Sequence, residues 1–463
     1  MNQITLPVSE LKQALAGFGR VIPRRSTLPE LQAIRLSRNS EGRVSLSATD
    51  LDAFVTYHVE QSVPGDTVDV LLPFEQVNKT LKGYSGDLVV IPESMSSVKV
   101  RYNIGGSPLE QSLATVPVEK FPLVPKVTEV PVKMPANFGE TLRQAFETSS
   151  TDSSRFVIQG AYLDVEQPNC HTIVSTNGRA LFAANSFSFD LKKSVNIARH
   201  KFLAWPGFLE GESQMAVQRV KDNAGWVQLN TGRWTCVIKQ IDGQFPKWRQ
   251  VVPQDTDTWT RVQLSEAALA QMLNLSSKLP GDDTQDRVLR LNVNQELRLE
   301  GANKDDKEYT SVVIADVKIT GKPVLAALNR EYLQNALRCG LSEIRIHTEL
   351  EPLVFCHQGK RMVIMPVRLT GPVTTKTPTV PLTPQPETKI ERKTEMAETT
   401  KPTGTLVSAL DKLESCRGKL RELLGELNDL AGLIKQADRD KRSTEKEVAS
   451  VRQTIRSLQG LKI

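Results

Sequence analysis

The chain has 463 residues, and at ~150 residues per domain that length predicts about three domains. Hydrophobic residues at 39%, charged residues at 24% and a mean hydropathy of −0.29 describe an ordinary soluble chain and exclude disorder throughout, while 59 basic against 53 acidic residues, a net +6, permit an anionic partner without requiring one. No run of 18 apolar residues and no basic-then-apolar start occurs, five scattered cysteines (170, 236, 339, 356, 416) form no CxxC pair, and GxxxxGK[ST], HExxH, GxSxG and GxGxxG are all absent, so membrane insertion, secretion, a zinc site, a cofactor and catalysis are not expected.

In chain order, a short apolar strand-like run leads into an amphipathic helix carrying Leu11-Lys12-Gln13-Ala14-Leu15, then strands VSLSATD and AFVTYHVE, then a helix-like stretch ending near Leu81 before Gly83. The same order returns twice. Leu142-Arg143-Gln144-Ala145-Phe146 and Leu269-Ala270-Gln271-Met272-Leu273 repeat the helix pattern at spacings of 131 and 127, and Leu209 and Leu337, ahead of Gly211 and Gly340, repeat the second mark at 128 and 128. Ala48-Thr49-Asp50 recurs as Ser175-Thr176-Asn177 at 127, and Phe121-Pro122 as Phe245-Pro246 at 124. Four marks in one register predict an α+β chain of three repeats, each an antiparallel sheet with two helices: residues 1–127, 128–255 and 256–369.

After the closing Arg361-Met362-Val363-Ile364-Met365-Pro366-Val367-Arg368-Leu369 the composition changes: residues 370–405 hold 12 Thr and 6 Pro. Such a stretch cannot bury a core and reads as a flexible linker with a root-mean-square span of roughly 30 Å. Residues 406–463 return to coiled-coil spacing through Leu420, Leu423, Leu427, Leu430 and Ile434, interrupted at Lys441 and Thr444; one long helix and a helical hairpin both satisfy the pattern.

Across residues 1 to about 369 the sequence resembles the bacterial DNA polymerase III β sliding clamp family. The resemblance is carried by Arg25-Ser26-Thr27-Leu28-Pro29, Ser47-Ala48-Thr49-Asp50-Leu51, Arg155-Phe156-Val157-Ile158-Gln159-Gly160, Ser175-Thr176-Asn177-Gly178-Arg179-Ala180-Leu181, Asp242-Gly243-Gln244-Phe245-Pro246 and Met365-Pro366-Val367-Arg368-Leu369. It implies a head-to-tail homodimer of three-domain protomers around double-stranded DNA, helices lining the hole and sheets outside. Its work would be sequence-independent tethering of DNA polymerase in the cytoplasm, at the nucleoid, after assembly by a clamp loader. The implied DNA-facing residues are Arg25 after the first helix, Arg155 after the third and Arg199 where the fourth begins, with Lys12, Lys79, Lys82 and Arg143 adding to the stripe.

The resemblance also implies a pocket between the second and third domains for short clamp-binding peptides. Its residues here are Ile158, Thr176, Gly178, Arg179, Ala180, Leu181, Pro246, Val251, Asn329, Tyr332, Val363, Met365, Pro366, Val367, Arg368 and Leu369. Gln250 stands at its rim where the family commonly has Arg, and Gln111, before Leu113, stands where an aromatic residue lies at the dimer seam, with Met272 and Leu273 on the other side. The 94 residues past Leu369 are a further departure. A specialised paralogue whose tail recruits a non-replicative partner, and a coiled-coil scaffold with a globular head, are the competing readings.

Overall fold

A computed structural model describes residues 3–368 apart from 61, 169, 189, 221–222, 255, 257, 282–286 and 304–307. All of these belong to the first of two units, Met1–Pro378. The expected linker and tail, and Leu369, lie outside the described residues.

Five α-helices occur among the described residues: α1 (Val8–Phe18), α2 (Phe74–Thr80), α3 (Phe138–Thr148), α4 (Glu266–Lys278) and α5 (Arg330–Arg338). In α1 the buried Val8, Leu11, Ala14, Leu15 and Phe18 recur at intervals of three and four, placing one apolar stripe on the sheets and leaving Lys12 outward. Ser265 starts α4 by accepting the Ala268 amide, and Asn329 starts α5 by accepting the Glu331 amide at 2.8 Å. No described helix is long and apolar enough to cross a membrane.

The helices α1, α3 and α4 hold the three Leu-initiated patterns, but the second repeat lacks the second helix expected near Leu209. There the chain makes one turn, Ala204 N–H bonding the His200 carbonyl at 3.0 Å, and stops. Pro206 has no N–H to continue the ladder and disfavours helical backbone at Trp205, so Arg199 precedes a turn rather than a helix.

Among the described residues, twenty-five strands form four antiparallel sheets, and the order of strands exposes the repeat. Each repeat supplies two half-sheets. The first repeat's Ala53–His58 joins the second's Trp234–Lys239, pairing Ala53 with Ile238 and Tyr57 with Trp234, to make one eight-stranded sheet. The second repeat's Ala180–Phe187 joins the third's Lys360–Ile364, pairing Ala180 with Ile364 and Leu181 with Val363, inside a nine-stranded sheet. Two four-stranded sheets remain, ending in the edge strands Ser107–Ala114 and Thr310–Ile314.

The spacing of 127 between Asp50 and Asn177 has a local cause. Asp50 Oδ1 accepts the Asp52 and Ala53 amides at 3.2 and 2.9 Å, and Asn177 Oδ1 accepts the Arg179 and Ala180 amides at 2.9 and 2.8 Å. Each is a side-chain-closed turn that launches the strand crossing to the next repeat.

Candidate nucleic-acid interface and peptide pocket

Between the first two repeats lies a groove of about 1490 Å³ whose lining includes Lys12, Arg20, Arg24, Lys82, Arg199 and Lys201 against only Asp50 and Glu75. Side chains α1 leaves outward meet the turn after Ala198, and one acid is already hydrogen-bonded: Asp50 Oδ2 lies 2.9 Å from His200 Nε2. His200 Nδ1 accepts the Phe202 amide, so Nε2 carries the proton that Asp50 receives. Burial works to raise the Asp50 carboxyl, but the His200 hydrogen bond and the two turn amides help hold the group below its ordinary value.

The structure brings Lys12, Lys82 and Arg199 together as the resemblance implies and redistributes the others. Arg25 is exposed, but its neighbour Arg24 lines the groove. Lys79 is exposed on the last turn of α2 outside the lining. Arg143 is half-buried and donates to the Phe208 carbonyl at 3.4 Å. Arg155 is outside this lining: it sits 3.7 Å from Asp152 and against the turn at Gly178, where a β-carbon would fall 2.9 Å from its Nη1. Gly178, at φ +88°, thus keeps both a left-handed backbone and room for that guanidinium. The residues missed, Arg20, Arg24 and Lys201, neighbour those chosen; a basic run flanking Arg25 and Arg199 was the available signal.

At the junction of the second and third repeats Ile158, Leu181 and Val363 meet Val174, Ala183, Val354, Phe245 and Trp259 in an apolar cluster separate from the main core. Phe245 stacks on Tyr162 with ring centres 4.7 Å apart. The Thr176 hydroxyl donates to the Ala180 carbonyl at 2.7 Å and accepts the Gly178 amide, fixing one wall. The closing segment crosses both repeats: Met365 N–H bonds the Arg179 carbonyl at 2.9 Å and Val367 N–H the Ala327 carbonyl at 2.8 Å. Of the other expected pocket residues, Met365 is 48% exposed, Val251 59% exposed, Pro246, Gln250, Arg179 and Arg368 are exposed, and Pro366 and Tyr332 are half-buried, Tyr332 against the main core. Asn329 is only 6% exposed and its side chain is committed to capping α5, so it shapes the site through the helix.

Two of the residues assigned to a dimer seam have no surface to give. Leu113 is 1% exposed and Met272 fully buried within their own chain, because both face the core; Gln111 and Leu273 remain accessible. The edge strand Ser107–Ala114 is exposed along most of its length, with Leu109 outward, and Thr310–Ile314 presents Val313.

No protein-family model matches the chain. Among curated proteins it is similar to the β sliding clamp of Vibrio cholerae, 22% identical over 379 residues, and that of Haemophilus influenzae, 24% identical over 382; each match covers 79% of this chain and 100% of the relative. Among solved structures it is similar to the Bacillus subtilis DNA polymerase sliding clamp (TM-score 0.68, 16% identity, 80% of this chain and 99% of that one). The DNA polymerase III subunit β of Pseudomonas aeruginosa gives 0.66 and 19%, over 79% and 100%. The described chain therefore has the sliding-clamp fold, and the resemblance carried by its motifs extends over about 79% of its length.

Proposed function

We propose that the chain acts as a DNA sliding clamp, a ring-shaped processivity factor that encircles duplex DNA and tethers DNA polymerase and other partners bearing short clamp-binding peptides. The observation that carries this reading is the pair of open sheet edges. At both internal junctions the fourth strand of one half-sheet, Ala53–His58 or Ala180–Phe187, pairs with the last strand of the next repeat, Trp234–Lys239 or Lys360–Ile364. The topological counterparts, Thr310–Ile314 and Ser107–Ala114, have no second neighbouring strand among the described residues, and an open edge is a template for pairing with another chain. Two copies joined head to tail by that third version of the same pairing close on themselves.

The basic groove supports a DNA-facing role because Lys and Arg contacts to phosphates carry no sequence information and permit sliding. The junction pocket supports peptide tethering through its buried floor, exposed Met lip and flanking Arg side chains. Topology is the property to test. The protein, loaded by a clamp loader onto nicked circular DNA, is expected to remain through gel filtration and to be lost when the DNA is linearised. Equal loss from both forms would overturn the clamp reading.

A further inference from the structure

The outer face of the nine-stranded sheet carries a depression of about 670 Å³ beside the peptide pocket. It shares Ala183, Val354 and Trp259 with the junction's buried apolar cluster, so the depression adjoins that cluster. Side chains alternate along strands, so Val363 and Arg361 share a face, as do Leu181, Ala183 and Asn185. Moving from Leu181 to Asn185 covers roughly 13 Å and passes from apolar floor to polar lining, about the reach of four extended residues.

That far end is rich in cations, three of them ion-paired, Lys360 with Glu140 at 3.8 Å. Arg249, Arg345, Lys360 and Arg361 line it against one carboxylate, Glu343. Hydrogen bonds from Arg345, at 2.8 and 3.0 Å, hold Glu343 below its ordinary carboxylate value despite partial burial. Arg249 is held by the buried Asp164 at 2.6 Å and lies 4.6 Å over the Trp248 ring, which makes a rigid wall. Arg361 has no ion-pair partner among the described residues.

We propose that this groove receives the residues flanking a pocket-bound peptide and selects an acidic flank, with Asp or Glu within about four residues of the motif. The proposal rests on the peptide-pocket reading and adds a specificity element to it. Charge complementarity favours this occupant: Arg249, Arg345 and Lys360 are already ion-paired, and Arg361 is left to attract an acidic side chain and repel a basic one.

The test is fluorescence anisotropy of the full chain with a QLxLF-type pentapeptide and with versions extended at either end by four acidic, four Ser/Gly or four Lys residues. One acidic extension is expected to bind about tenfold tighter than its Ser/Gly counterpart at low salt, and the Lys version more weakly. In Arg361→Glu the acidic advantage is expected to vanish or reverse and in Arg361→Gln to fall, the pentapeptide itself staying within about twofold. Equal affinity of acidic and Ser/Gly versions beside normal pentapeptide binding overturns the groove and leaves the pocket. An acidic preference that survives Arg361→Glu also overturns it. Failure of the pentapeptide to bind wild type overturns the pocket reading and the groove with it.

Discussion

Met365 and Val363 are two residues apart and do different work. Val363 is 5% exposed and paired with Leu181 across the junction, so truncating it opens a cavity that costs about 1 kcal/mol or more of stability. Met365 is half-exposed on a backbone pinned to Arg179, so its side chain is offered to a ligand rather than to the fold. Met365→Ala is expected to weaken peptide binding by about 2 kcal/mol, roughly thirtyfold, with the melting temperature almost unchanged; anisotropy and a thermal melt measure both. Asp50 gives a pH prediction. Its folded value lies below the ordinary 3.8, so its contribution is whole above that pH and is lost as pH falls below it. Asp50→Asn is expected to cost about 2 kcal/mol at pH 7, measured by urea unfolding, and to flatten the stability profile below pH 4. Identities of this kind were only partly legible in the sequence. Spacing located the turn at Asp50, but that His200, 150 residues on, closes the contact depends on tertiary packing. Arg155 shows the converse: the resemblance implied a DNA-facing place, and only the structure shows its side chain against Gly178.

At the scale of elements, the repeat was legible because its turns are closed by local side chains. Thr49 and Asp50, like Thr176 and Asn177, bond to amides within four residues, so the pattern survives wherever those residues do. The missing second helix of the second repeat has an equally local cause in Pro206, which was visible in the sequence but outweighed there by the Leu209–Gly211 spacing. What no local signal encodes is which strand edges stay open. Ser107–Ala114 is such an edge, and Pro108 within it removes one possible ladder donor, a feature tolerated at edges. Leu109, outward on this strand, is expected to be covered in the dimer. Leu109→Asp should forfeit about 2 kcal/mol at each seam and raise the dimer dissociation constant at least thirtyfold, read by sedimentation across a dilution series. An unchanged constant would show that the seam lies elsewhere.

For the whole molecule, the proposed function puts tethering and the basic groove on different junctions, and this makes them separable by mutation. Retention depends on two distinct physical terms. Phosphate contacts from the groove weaken with salt, the log-log slope changing by about 0.9 per contact, whereas a closed ring holds circular DNA whatever the ionic strength. Reversing Arg24, Arg199 and Lys201 to Glu is therefore expected to lower the salt slope of DNA association by up to about 2.7 while retention on nicked circles persists once loading has occurred. Leu109→Asp should do the opposite: the slope stays, and the protein leaves circular DNA at about 0.5 M salt, where screening falls to a few ångströms and only closure can hold it. Met365→Ala should change neither and lose peptide binding alone. The comparison is made on one nicked plasmid with all three variants, following protein that co-elutes with DNA before and after linearisation. If the groove reversal abolished high-salt retention while dimers stayed intact, electrostatic grip rather than closure would be what holds the chain on DNA.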